Sequence, residues 1–214
     1  VLVCDITGSG CADVILCQGR TSIMNTTESL VFKGTRDGIA TVPVRLKTHD
    51  AVTVLAGKTR PGKDKQVIFI NHVGGRVRGD VPIYIYYGSK NGYNENNRAE
   101  LPGWAASCAA CCDFNDDGWA DLLVCNCSEN APHLDPGSFI YWGGPNGFDP
   151  RNLTVLPTTR AHEAAVGDFR RSGYLDIAIA GFFNAELLIF EGSEKGYDIQ
   201  NPRRIILDPE LSKD

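Results

Sequence analysis

The chain has 214 residues, a net charge of −5, 43% hydrophobic and 22% charged residues, an ordinary globular composition with length for one good core or two small ones. The acidic balance argues against a nucleic-acid binder, which carries a concentrated basic face; the pairs Arg76/Arg78, Arg170/Arg171 and Arg203/Arg204 are scattered along the chain,. No apolar run approaches the ~18 residues of a membrane span, and Val1 opens the chain in what reads as mid-strand, so the sequence is expected to be processed or cut from something longer.

Twenty-three Gly and eleven Pro, evenly spread, with a single Met, point to many turns and little helix,. In chain order, the first strand and loop are "VCDITGSGCADVILCQ", residues 3–18, followed by an apolar strand and glycine turn, "SLVFKGTRDGI". A degenerate copy of the loop, "LAGKTRPGKDKQVIFIN", then aligns through Gly62 and leads to the turn "YIYYGSKNGYN". The third copy, "CCDFNDDGWADLLVCN", is the most acidic and precedes "FIYWGGPNGFD". The fourth, "VGDFRRSGYLDIAIAG", precedes "LLIFEGSEKGYD". Both series recur every ~50–55 residues, a period that signals a repeat architecture.

Each unit reads as four antiparallel strands, which is the pattern of a β-propeller blade. A β-helix would need a shorter repeat, and helical solenoids would need a 3.6-residue period that is absent. The expected fold is therefore all-β, a single domain over 1–214. Its four four-stranded blades are expected at 1–46, 47–101, 102–157 and 158–214, either closed as a four-bladed ring or forming part of a larger one.

The stretch "DFNDDGWAD" packs four carboxylates and an asparagine into nine residues. Its first letters fit an EF-hand loop, but position twelve is Val124 and the flanks read as strands, so an EF-hand is not expected,. Asp113, Asn115, Asp117 and Asp121 sit at odd positions of a tight loop, with the carbonyl of Trp119 as a further oxygen. Hard, mostly anionic oxygen donors without His or Cys select calcium over transition metals. Without an ion, three carboxylates folded into one loop would repel each other. The first unit offers a weaker set, Asp5, Thr7, Ser9 and Asp13. The fourth offers Asp168, Ser172 and Asp176, with Arg170 placed to substitute for a cation. The second has Lys58 and Lys65 in the area, and no ion is expected there.

The eight cysteines occupy equivalent strand positions in several units (Cys4 with Cys112, Cys17 with Cys125) and read as small buried hydrophobes rather than zinc ligands,. Cys108 and Cys127 are placed to meet across a hairpin.

The acidic loops and the turns "YYGSKNGY" and "YWGGPNGF" resemble the FG-GAP/VCBS repeat, found in integrin alpha-subunit propellers and in many extracellular proteins. The resemblance covers essentially the whole chain, although "VCNC" stands where an integrin carries its GAP tripeptide, so this is no integrin proper. It implies a calcium site at Asp113, Asn115, Asp117 and Asp121, and an extracellular or cell-surface setting. Sequons at Asn25, Asn126 and Asn152 fit that setting, although Asn126 falls in a strand expected to be buried,.

No catalytic constellation stands out. His49–Asp50 and His162–Glu163 precede the first strands of the second and fourth units, and Trp104 stands before that of the third. These lead-ins are expected near the mouth of a central channel, as ligand-binding candidates. A His–acid pair there suits acid–base chemistry, but a turn role is favoured. The expected function is a non-catalytic binding or adhesion module for a protein or glycan; a polysaccharide lyase or hydrolase and a structural scaffold are the alternatives. Turn aromatics Tyr93, Trp142, Phe148 and Tyr197 suit sugar stacking or packing between blades. A homodimer, or further domains of a longer chain, would complete the ring.

Overall fold

The computed structural model describes residues 1–59, 61–62, 64–72, 80–127, 135–181 and 186–207. The Arg76/Arg78 pair and His133 lie outside the described residues.

Period-two apolar segments broken by glycine turns produce four separate four-stranded sheets, each antiparallel throughout and each built from consecutive residues,. The first contains β1 (Leu2–Cys4), β2 (Asp13–Leu16), β3 (Thr26–Phe32) and β6 (Val44–His49), with a separate small hairpin of β4 (Gly34–Thr35) and β5 (Gly38–Ile39) in the connection from β3 to β6. The second contains β7 (Ala51–Gly57), β8 (Gln66–Asn71), β9 (Ile83–Tyr86) and β10 (Arg98–Leu101), with one 3-10 turn, Glu95–Asn97. The third contains β11 (Cys108–Cys112), β12 (Asp121–Cys125), β13 (Ser138–Tyr141) and β14 (Leu153–Leu156). The fourth contains β15 (Ala161–Gly167), β16 (Asp176–Gly181), β17 (Glu186–Phe190) and β18 (Arg203–Ile206). The first sheet thus runs to His49, past the expected limit at 46.

Three apolar clusters hold the sheets together, one per junction. Ile15, Val31 and Leu46 meet Val67, Phe69 and Tyr86 between the first two sheets. Ile68, Ile70, Ile83 and Ile85 meet Leu122, Val124 and Tyr141 between the second and third. Leu123, Cys125 and Ile140 meet Ile177, Ile179, Leu188 and Phe190 between the third and fourth. The strands β8 and β12 are buried on both faces, which explains their unbroken apolar runs,. Leading strands stack in order, β1 on β7, β7 on β11 and β11 on β15; among the described residues no contact of that extent joins β15 to β1.

Each later sheet is entered the same way. Asp50 (φ 51°), Ala105 (φ 42°) and Arg160 (φ 49°) adopt the left-handed region, and each is followed by a buried alanine: Ala51, Ala106 or Ala161. This bend turns the chain from the outer strand of one sheet into the leading strand of the next.

Two sequence expectations need correction. Cys108 pairs in register with Cys125, not Cys127, because the Cys127 amide instead donates to the Trp104 carbonyl at 3.0 Å. No disulfide joins any of the eight cysteines. In the second sheet, Gly57 pairs with Gln66 as Cys112 pairs with Asp121. The alignment through Gly62 is therefore one residue out of step, and Gln66 occupies the place of the last loop aspartate.

Candidate metal centre and the adjoining cleft

Each acidic loop closes the hairpin between the first two strands of its sheet. In the third, the Asp113 carboxylate accepts the amides of Asp117 (3.1 Å) and Gly118 (2.7 Å). Asp5 does the same for Ser9 and Gly10, and Asp168 for Ser172 and Gly173. These amide bonds lower the carboxyl pKa of Asp5 and Asp168, led by the bonds from Gly10 and Gly173,. Gly118 takes φ 89° with nothing within 4 Å of a would-be Cβ, so glycine is there for its dihedral,. Asn115 and Asp117 complete the turn: the Asp117 amide donates to Asn115 Oδ1 (3.2 Å), and Asn115 Nδ2 donates to Asp117 Oδ2 (3.0 Å).

The last aspartate behaves differently. Asp121 is fully buried, with Oδ2 accepting the Phe114 amide (2.8 Å) and Oδ1 the Gly143 amide (2.7 Å). Burial pushes its carboxyl up to about 6, against the pull of those two amides. Asp13 joins the Ile6 and Gly34 amides in the same way, and Asp176 joins those of Phe169 and Gly192. Each thus ties its loop to the glycine turn that follows the third strand. Gln66 keeps half of this arrangement, accepting the Thr59 amide at 2.6 Å. The first glycine of the turn is obligatory for steric reasons: a Cβ on Gly143 would lie 2.2 Å from the Ala120 carbonyl oxygen.

Among the described residues, no three His, Cys, Asp or Glu side chains form a preformed metal cluster. The donor set of the third loop is of another kind, combining Asp113, Asn115 and Asp117, all oxygen donors on one turn, with the Trp119 carbonyl. That chemistry fits a hard cation. In the first loop Thr7, at the position of Asn115, has a buried Oγ1 with no hydrogen-bond partner, an orphan that an ion would satisfy,. In the fourth, Arg170 stands at that position. Its guanidinium donates to Asp176 Oδ1 (2.8 Å) and to the Gly192 carbonyl (2.6 Å), and lies 3.5 Å from Glu191. A guanidinium already compensates that buried carboxylate, so the fourth loop does not fit an ion.

The channel-mouth candidates do not form one group. The His49 amide donates to Asn71 Oδ1, and Asp50 is buried with Oδ1 accepting the Arg20 amide at 2.7 Å. The Trp104 amide donates to Asn126 Oδ1. His162 and Glu163 fall inside β15 rather than ahead of it, and Glu163 accepts the Cys108 thiol at 3.0 Å. Asp50 corresponds to Arg160, so the two His–acid pairs are not equivalent. Asn71 and Asn126 escaped the sequence reading. Asn71 ends the second strand of its sheet and Asn126 directly follows that of its own, and each clamps the entry to its sheet, so their similar positions were the available signal.

The turn aromatics pack between sheets. Tyr93 is buried, and its hydroxyl donates to the carbonyls of Ile6 (2.9 Å) and Lys65 (2.6 Å). Phe148 lies against the second junction and Tyr197 against the third. At the second junction the Tyr87 hydroxyl sits 3.4 Å from the Cβ position of Gly147 and fills the space. At the third, the equivalent Gly196 has nothing within 4 Å, leaving a cleft of about 240 Å³ lined by Phe114, Asp116, Trp142, Tyr174, Glu194 and Tyr197 among others.

Four stacked antiparallel sheets with a carboxylate-closed hairpin at the head of each, one of them reduced to a glutamine, define a β-propeller-like module. Residues 113–179, which span the third loop and reach into β16, match the family model described as an FG-GAP-like repeat. No curated protein matches the chain.

Proposed function

We propose that the chain is a calcium-stabilised arc of propeller blades that works outside the cell as a non-catalytic binding module for a protein or glycan. The observation that carries this reading is the open cleft beside the third acidic loop. The corresponding space at the second junction is closed by Tyr87, whereas at the third Tyr174 is exposed and Trp142 half-buried. Aromatic faces flanked by the Asp116 and Glu194 carboxylates suit sugar rings and cationic side chains alike. An ion in the third loop, held by Asp113, Asn115, Asp117 and the Trp119 carbonyl, would supply charge compensation and fix one wall of that cleft, since Asn115 and Asp116 belong to both.

Two measurements test this. The melting temperature should rise on adding calcium and fall with a chelator, and Asp117→Asn should abolish most of the difference; no shift sinks the metal assignment. Glycan and peptide arrays should give hits that weaken at least tenfold in Tyr174→Ala. Hits indifferent to Tyr174, or polysaccharide turnover lost in His162→Ala, would overturn the binding reading.

A further inference from the structure

The third junction differs from the other two in charge. Counting back five residues from the last loop position (Asp13, Gln66, Asp121), and forward two from the first glycine of the facing turn (Gly88, Gly143, Gly192), gives one matching pair per junction. The pairs are Gly8 with Lys90, Pro61 with Pro145, and Asp116 with Glu194. Only the third is acidic, and both of its members line the cleft beside Trp142 and Tyr174.

Both carboxylates are exposed, and among the described residues neither has a hydrogen-bond or ion-pair partner. Each is a free acceptor, whereas the side-chain donors around them are engaged elsewhere. Trp142 Nε1 donates to Thr154 Oγ1 at 3.0 Å, the Tyr197 hydroxyl to the Leu175 carbonyl at 2.9 Å, and the Ser193 hydroxyl to the Gly196 carbonyl at 2.7 Å. Asn115 Nδ2 is turned onto Asp117. No basic residue is among the described lining residues, and the Arg170 guanidinium, which reaches the Gly192 carbonyl, is compensated by Asp176 and Glu191. A sugar presents hydroxyls that need donors as well as acceptors, and an anion needs donors alone. A cation needs acceptors and aromatic faces, and those are what the cleft leaves free.

We propose that this cleft takes the side chain of a lysine or arginine from a protein partner. The inference rests on the reading of the cleft as a binding site and names what enters it. The alkyl stem lies along the aromatic wall of Trp142 and Tyr174, as the stems of basic side chains do on apolar surface. The charged head is shared by Asp116 of the third sheet and Glu194 of the fourth, with the ring faces adding their own attraction for a cation. The size agrees. About 240 Å³ falls below the ~300–1,000 Å³ of small-molecule sites, which leaves room for one long side chain rather than an oligosaccharide. A net charge of −5 favours the approach of a basic partner.

The test is an NMR titration of the Trp142 indole N–H, in calcium-containing buffer, with short glycine peptides carrying one central lysine or arginine. A norleucine peptide gives the uncharged control, and neutral disaccharides probe sugars. The basic peptides should bind in the millimolar range, about tenfold tighter than the norleucine peptide. Asp116→Asn and Glu194→Gln should each weaken them about threefold, the contribution of one exposed ion pair, and together about tenfold. Equal binding of the norleucine peptide, or affinity untouched by both substitutions, overturns the proposal. So does a neutral sugar that shifts Trp142 and keeps its affinity in both variants, an outcome that leaves the cleft a binding site. If neither peptides nor sugars perturb Trp142 or Tyr174, the binding reading falls and this inference with it. Should either variant lose its β-sheet circular dichroism, the salt dependence of the wild type decides. Affinity for the basic peptides should fall several-fold between about 0.1 M and 1 M salt, as the screening length drops from ~10 to ~3 Å. Affinity indifferent to salt overturns the proposal.

Discussion

Asp121 and Gly143 stand 22 positions apart in the chain and share a 2.7 Å hydrogen bond, the glycine amide donating to the buried carboxylate. The other carboxylate oxygen holds the Phe114 amide. One side chain thus fixes both the loop and the turn, so Asp121→Asn, which replaces an acceptor by a donor facing an amide, is expected to cost about 2 kcal/mol. Urea denaturation in chelator measures this free of any metal contribution.

Two glycines of the same sheet separate sterics from dihedral strain. Gly143→Ala drives a methyl group to 2.2 Å from the Ala120 carbonyl oxygen and should destabilise by about 3 kcal/mol, as over-packing against fixed backbone does. Gly118→Ala meets no atom within 4 Å and bears only the left-handed backbone cost, about 1–2 kcal/mol. Equal losses in the two denaturation curves would contradict this account.

Arg170 replaces, in the fourth loop, the asparagine of the third. Arg170→Asn leaves Asp176 buried without its guanidinium partner while restoring an oxygen donor beside Asp168. The melting temperature should drop in chelator and recover in part with calcium, a response in this loop that the unmodified chain lacks. Calorimetry with and without calcium distinguishes this from simple loss of an ion pair, which calcium would not repair.

Asp149 and Arg151 form an exposed chelate, the guanidinium and backbone amide of Arg151 both donating to the carboxylate. These bonds hold the Asp149 carboxyl down at about 2. Because the folded value lies below the ordinary one near 3.8, the interaction stabilises fully above that pH and is lost as pH falls towards 2. In carbon-detected NMR titration, Arg151→Ala should return Asp149 upwards, towards 3.8, without moving Asp121.

The repeat made the four sheets readable before any coordinates, because glycine turns and apolar runs recur together at a fixed spacing. The middle third of the chain, with all four loop carboxylates intact, was clearest. Gln66 was harder: only strand pairing shows that it fills an aspartate's place, accepting the Thr59 amide across a lysine-rich loop of the same length as the others. The division of labour among the loop carboxylates was equally hidden. Sequence treats Asp113 and Asp121 as like donors, but one caps an exposed turn and the other lies in the core. Which turn aromatics remain exposed depends on Tyr87 occupying one junction, a three-dimensional accident of neighbouring units with no local signature.

Because each sheet is made from consecutive residues and touches only its neighbours, most stabilising contacts close over short stretches of chain. Folding can then spread from sheet to sheet with little loop-closure cost, in the nearest-neighbour manner of repeat proteins. The two middle sheets, flanked on both sides, should form the most protected unit, with the outer pair opening first. Whole sheets, rather than single strands, become the natural quantum by which such a chain could lengthen or shorten without redesigning its core.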